Sequence, residues 1–406
     1  MRVPLEEGLA IANEPRTAEG LAADSALLND VASWMREERA YSIGAPVNLD
    51  IDYRHLAPFL AVHGNNAGSP CGTSEYRLHT KHFERAVVDF FATLAGAPSG
   101  TAFGYVTNGG TESNLFGVFV GRERHPDAVL YASRDVHYSV PKIARLLRME
   151  LASIPTGRHG AMDPRALESA FRANRHRAAV VVATIGSTGR GAVDDLPAIH
   201  EALSDAGVER THLHADAAFG GPLAALGPSP RPWGFADGAD SIAISGHKMV
   251  GCPIPCGIVL ARPEHMENIR EKGAAVGADD DTIGGSRDAL SPVLLWHELR
   301  RLGREGMVDR VRECLRIAEY AAERLRRCGR RPTHRPGTNT VLFDAPSQAM
   351  CERWHLFQVD SRAHLVTMPH VTEDHVDRLC AELTNPPTGG TPGEANPRNH
   401  ARGLDR

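Results

Sequence analysis

Ser241-Ile242-Ala243-Ile244-Ser245-Gly246-His247-Lys248-Met249-Val250-Gly251-Cys252-Pro253 sets one lysine between two apolar stretches. The first five residues read as a short strand, and Ser-Gly-His turns the chain at its end. Similar runs lie at Val129–Ala132, Ala178–Ile185, Thr211–Ala215 and Gly257–Ala261. Ala178–Ile185 is a mostly apolar run rich in β-branched residues, the mark of a strand buried on both faces. Helical spacing separates these runs, as over Lys81–Ala95. This alternation, from about 80 to 265, predicts an α/β fold with a mostly parallel sheet. Further out, an amphipathic helix is expected over roughly 292–328, then strands at Asn339–Phe343 and His364–Met368 and a last helix at Glu373–Leu383. These form a small C-terminal α+β domain. The expected division is an N-terminal segment of helices and a polar turn (1–60), a large domain (61–300), the small domain (301–384) and a tail (385–406). The tail is rich in Pro, Gly, Asn and Arg and is expected to be disordered.

Composition excludes several classes. The chain has 406 residues, 42% of them hydrophobic and 23% charged, with a net charge of −5, which suits a globular α/β protein. Acids and bases are mixed, with no basic stripe for nucleic acid. No apolar run is long enough to span a bilayer. Met1-Arg2-Val3-Pro4-Leu5 lacks a signal pattern, so a cytoplasmic location is expected. Seven scattered cysteines suit reduced thiols. Cys252 and Cys256 have no second pair at zinc spacing, and no metal site is expected. His212 and His214 share one strand face, with a structural role expected for His212.

The chemistry begins at Lys248. A lysine with apolar neighbours on both sides loses its proton more readily, and a neutral amine attacks an aldehyde. Asp216 stands at the end of Thr211–Ala215, where open α/β sheets bind ligands. Alone it would be a helix cap. Placed 32 positions before Lys248, with Ala217 and Ala218 behind it, it suits the acidic partner of the ring nitrogen of pyridoxal phosphate (PLP). Thr107-Asn108-Gly109-Gly110-Thr111-Glu112-Ser113-Asn114 opens a helix whose first amides suit a phosphate, and its spacing fits neither the dinucleotide nor the Walker pattern. His137 follows a strand and suits ring stacking and proton relay, although an isolated histidine is more often structural. Thr184-Ile185-Gly186-Ser187-Thr188 ends a buried strand with hydroxyls within reach of the cofactor's phenolic oxygen. Asp194-Asp195 reads as a helix cap. Glu271–Thr282, with its small residues and Asp279-Asp280-Asp281, reads as a mobile lid.

Taken in order, these pieces resemble the PLP-dependent group II amino-acid decarboxylases of fold type I, above all bacterial histidine decarboxylases and plant-type serine decarboxylases. The resembling stretches are Gly104–Glu112, His137–Lys142, His214–Gly221, Ser245–Pro253, Gly285-Ser286-Arg287 and Ala363–Thr372. The resemblance implies a homodimer with active sites at the interface. It implies a Schiff base at Lys248, Asp216 on the pyridine nitrogen, and His137 against the ring. Gly109, Gly110, Thr111, Ser245 and His247 would serve the phosphate. Thr184 and Ala218 would touch the cofactor, and Gly285-Ser286-Arg287 would reach the partner subunit's cofactor, with Ser286 as its contact.

The implied reaction is decarboxylation of an L-amino acid, with histidine to histamine as the first reading. Lys248, His137 and Asp216 are its catalytic residues. The chain departs from the family at Gly68-Ser69-Pro70, Ala275 and Asp288-Ala289-Leu290. These departures keep serine, valine or another aliphatic substrate open, because an imidazole needs polar partners that an aliphatic pocket does not. Transamination on the same scaffold, and a PLP-fold binding or assembly module, are the remaining alternatives.

Overall fold

The computed structural model describes residues 9–11, 13–72, 75–271 and 277–385. The expected tail, from 386 onward, lies outside them, as do 272–276 of the expected lid and with them Ala275. The chain opens with α1 (Ala18–Glu38), α2 (Lys81–Leu94), β1 (Phe103–Thr107), α3 (Gly110–Arg124), β2 (Val129–Ser133) and α4 (Ser139–Leu146). It continues through β3 (Leu151–Ile154), α5 (Pro164–Ala173), β4 (Ala179–Thr184), α6 (Leu196–Ala206), β5 (Thr211–Asp216) and α7 (Gly221–Leu226). Next come β6 (Ser241–Ser245), β7 (Gly257–Ala261), α8 (Leu290–Arg327), β8 (Thr333–His334) and β9 (Thr340–Asp344). The described part closes with α9 (Gln348–Arg353), β10 (Phe357–Val359), β11 (Arg362–Val366) and α10 (Glu373–Thr384).

The large sheet runs β1-β7-β6-β5-β4-β2-β3. Its pairs are parallel from β6 through β3, and β7 alone runs against its two neighbours. β4 shows why its sequence lacks alternation. Val180 and Val182 pack against α3 and α4, while Ala179, Val181 and Ala183 pack against α5 and α6. Both faces are dry, so both must be apolar. Two strands of this sheet were not expected from the sequence. β1 contains Gly104, where a Cβ would fall 2.5 Å from the Val259 carbonyl oxygen, so close pairing with β7 removes a β-prone residue from the pattern. β3 is a four-residue edge strand, and only Ile154 in it is buried.

The small sheet runs β10-β11-β9-β8 and is antiparallel throughout. The end of α8, together with α9 and α10, packs on it around Trp354, Phe343 and Leu365. The two hydrophobic cores change over inside α8, between Leu315 and Ile317, so one helix serves both. Ile43, from the N-terminal segment, is fully buried in the small core.

His370 ties that segment down. Its Nε2–H donates to the Ser42 carbonyl (2.7 Å) and its Nδ1 accepts from the Leu49 amide (3.3 Å). Burial pushes its pKa down to about 4. An unfolded histidine titrates near about 6.5, so the unfolded chain takes up the proton first. Stability present above that pH is lost as pH falls toward 4, by about 1.4 kcal/mol per pH unit for this one group. Urea unfolding of His370→Gln is expected to show a shallower fall over that window than the parent chain. Equal slopes would mean that other groups carry the titration.

Candidate active site

The ends of three parallel strands make the site. Thr184 pairs with Asp216 in the β4–β5 register, and Asp216 pairs with Ala243 in β5–β6, two residues before Ser245. A cavity of about 510 Å3 opens there, at the carboxyl ends of the strands where α/β sheets bind ligands. Lys248, Asp216, His137, Thr184 and Ala218 line it. Gly109, Gly110, Thr111, Ser245 and His247 line it as well. The sequence placed these ten on five separate segments, and the fold brings them together. A larger cavity of about 1030 Å3 lies beside Trp34, Leu49, Ile51 and Tyr53, but its walls carry no lysine.

Lys248 sits in the turn Gly246–Val250 after β6, with φ −87° and ψ −106°, outside helical geometry. Neighbouring groups hold the carbonyls of this turn. Arg310 donates to Val250 O (2.8 Å), Tyr53 Oη to Gly251 O (3.0 Å), and the Asn48 amide to His247 O (3.4 Å). The Lys248 amine lies 5.7 Å from the centre of the Phe219 ring. Burial pushes its pKa below the usual lysine range, and the Asp216 carboxylate pulls it partly back.

Asp216 is buried at the end of β5. Its Oδ2 accepts from Asn114 Nδ2 (2.8 Å) and its Oδ1 from the Ala218 amide (3.2 Å). His137 receives the Ser139 amide on Nδ1 (3.3 Å), with Ser139 Oγ 2.8 Å from the same nitrogen. That leaves Nε2 to carry the ring proton. Burial lowers the pKa of His137, Asp216 opposes the shift, and Lys248 adds to it. Across the cavity α3 begins at Gly110, and its cap Gly109 has φ +134°, a conformation that side chains resist. The Glu112 carboxylate accepts from the Asn108 amide (2.9 Å) and fixes this turn. A Cβ on Gly110 would sit 3.1 Å from Ser245 Oγ, so glycine keeps the approach open. Thr184 Oγ1 is buried with no hydrogen-bond partner.

Residues 73–334 match the family model described as the pyridoxal-dependent decarboxylase conserved domain. The chain belongs to that family. It is 39% identical over 363 residues to a histidine decarboxylase of Mesorhizobium japonicum, covering 89% of this chain and 98% of that one. It is 37% identical to serine decarboxylase 2 of Oryza sativa over 384 residues, covering 93% and 82%. Among solved structures, an L-methionine decarboxylase from Streptomyces superposes with a TM-score of 0.83 at 25% identity, covering 93% and 97%. The fold and the PLP dependence expected from the sequence both stand. This is a PLP-dependent amino-acid decarboxylase.

One candidate of the decarboxylase lies apart from the rest. Ser286 is exposed and outside the cavity, hydrogen-bonded to Asn65 Nδ2 (3.1 Å). Its neighbour Arg287 turns inward, 4% exposed, and pairs with Glu84 of α2. The two described departures from the family, at 68–70 and 288–290, also lie off the cavity. Ser69 is buried against Asp281 (2.9 Å), and Asp288 accepts the Leu290 and Ser291 amides at the start of α8. Asp194 accepts the Met162 and Thr184 amides (2.7 and 2.8 Å), and burial pushes its pKa up to about 6. Asp195 caps α6. Ser187 and Thr188, two of the hydroxyls expected there, line the cavity, and so does Asn114, to which the sequence reading gave no role of its own.

Proposed function

We propose that the chain decarboxylates L-histidine to histamine and carbon dioxide, in the cytoplasm and as a homodimer. The observation that carries the assignment of the site is the Lys248 amine and the Asp216 carboxylate in one cavity, with the Thr184 hydroxyl beside them lacking a partner. Those groups fit PLP: an amine for its aldehyde, a carboxylate for its ring nitrogen, and a free hydroxyl for its ring oxygen. When bound, PLP supplies a sink for the electron pair released as the Cα–carboxylate bond breaks.

Lys248 anchors the cofactor, and burial has already weakened its hold on the proton that would block attack. Asp216 holds the ring nitrogen. His137 would lie against the ring, with Nε2 the atom through which it would relay a proton toward Cα. Gly109, Gly110 and Thr111 at the start of α3, with Ser245 and His247, receive the phosphate. Ala218 keeps the floor beside Asp216 small. Ser286 is offered to a second copy of the chain.

Histidine as the substrate rests on bacterial relatives of that name at 37–39% identity. The 37% identity to a rice serine decarboxylase favours serine as the second reading. Two further features support the dimer. α1 buries none of its residues, and Leu21, Leu28 and Met35 stand exposed at seven-residue intervals along it. Among the described residues no helix is long and apolar enough to cross a membrane, and the cysteines are free thiols, which suits a reducing compartment.

The purified chain, loaded with PLP, is to be given histidine, serine, valine and methionine separately, with amine and carbon dioxide measured. Histamine and carbon dioxide in equal amounts are expected from histidine alone. Ethanolamine from serine, without histamine, would move the reading to serine. A keto acid from any substrate would replace decarboxylation with transamination.

A further inference from the structure

Behind Asp216 lies a row of buried polar side chains that the reaction itself does not touch. Asn114 Nδ2 donates to Asp216 Oδ2 (2.8 Å), which leaves Asn114 Oδ1 as an acceptor facing His214 Nε2 (2.9 Å). His214 Nε2 therefore carries the ring proton. Burial drives its pKa down to about 4, so the ring is neutral and Nδ1 is bare. Ser241 Oγ lies 2.8 Å from that nitrogen and donates to it. The same oxygen is 2.8 Å from His212 Nε2 and accepts its proton. The row ends there, for His212 Nδ1 is buried and has no partner.

That last nitrogen sets the direction of the row. In the reverse order Asp216 would be protonated and would donate to a turned Asn114 amide. His214 would carry its proton on Nδ1 and donate to Ser241, and Ser241 would donate to His212 Nε2. His212 would then hold its own proton on Nδ1, a buried N–H with nothing to receive it, and an unmet buried donor is costly. The direction that starts from an ionised Asp216 leaves only a bare ring nitrogen at that end.

The row is also built into the backbone. Gly117 and Gly121 lie one turn apart on the face of α3 that meets β5. A Cβ on Gly117 would fall 2.1 Å from His214 Nδ1, and one on Gly121 would fall 2.8 Å from His212 Cδ2. Both histidine rings lie in the groove these glycines leave. All four relay side chains, Asn114, His212, His214 and Ser241, are at most 2% exposed.

We infer that Asn114, His214, Ser241 and His212 form a one-way hydrogen-bond relay that keeps the inner oxygen of Asp216 an acceptor and so sets how strongly Asp216 holds the protonated ring nitrogen of PLP. These are positioning residues, and the inference rests on the assignment of Asp216 to that nitrogen.

The test compares the affinity of the full chain, freed of cofactor, for PLP and for its 1-deaza analogue, whose ring has carbon in place of that nitrogen. A group that acts through the ring nitrogen alters only the first. Asn114→Leu is expected to weaken PLP binding roughly tenfold, the scale of one charge-assisted hydrogen bond, with little change for the analogue. Ser241→Ala removes one oxygen, leaves every contact of Asp216 in place, and is expected to act in the same sense and less strongly. Equal weakening of both ligands would reduce the row to packing and overturn the inference. Asp216→Asn separates the two levels. If it too weakens both ligands equally, the assignment of Asp216 fails. If it weakens PLP alone while Asn114→Leu and Ser241→Ala do not, only the relay fails. Nitrogen-15 spectra of histidine-labelled protein without cofactor give a second reading, in which His214 is expected as the Nε2–H tautomer. The Nδ1–H tautomer would reverse the row and overturn the inference.

Discussion

Lys248→Ala is expected to lower the rate of decarboxylation by about 10^4-fold or more, the scale of an oriented reacting group lost from a site. The substituted chain should still fold, because Lys248 only borders the cavity and the turn around it is held through backbone carbonyls by Arg310, Tyr53 and Asn48. Borohydride reduction followed by peptide mass measurement should find the cofactor's mass on the Lys248 peptide of the parent and nowhere on the variant. A label on another lysine, or undiminished turnover, would refute the assignment.

Glu84→Ala should cost about 3–5 kcal/mol of stability, the usual result of stripping one partner from a buried ion pair. Glu84 is fully buried, and its Oε1 accepts from the Val106 amide (2.9 Å) as well as from Arg287. Burial pushes the Glu84 carboxyl up in pKa and Arg287 draws it back. Without Glu84, Arg287 keeps the Gly68 carbonyl (3.2 Å) and the face of the Tyr105 ring (5.1 Å from its centre) but no carboxylate in contact. Replacing both, Glu84→Leu with Arg287→Met, should recover most of the loss, because no lone charge is left. Urea unfolding of the single and double variants reads the difference. A double variant as unstable as the single one would mean that packing, not charge, holds this place. The same pair anchors the loop that carries Ser286, so Glu84→Ala should also weaken any dimer that depends on that loop.

The large sheet was legible where burial on both faces left an apolar run, as at β4, and in shorter stretches with buried polar residues at β5 and β6. It was illegible at β1 and β3, where a glycine and an exposed edge erased the pattern. Lys248, Asp216 and His137 could be named because each follows a strand that could itself be read, and strand ends are where the cavity forms. Asn114 could not. It sits one turn into α3, where an asparagine reads as ordinary helix surface, and only the fold shows it facing Asp216 from 102 positions away. Gly117 and Gly121 of α3 and the two histidines of β5 each had a visible spacing, four and two, but the sequence gives no reason to join them. Arg287 was expected to reach outward with its motif. The acid that turns it inward lies 203 positions earlier, on a helix read only for its apolar face.

The break in α8 bears on how the amine is held. Gly303, at φ +61° and ψ −173°, parts the helix into two rods, and the second rod starts in the large core, at Met307 and Val311, before it enters the small one at Ile317. The break is splinted. Arg310, beyond the break, grips Glu298 before it (2.7 Å) and in the same grasp holds the Val250 carbonyl, two residues from the reactive lysine. The joint is thus bolted to the turn that bears the amine, and one guanidinium ties both rods of the helix to the backbone beside Lys248.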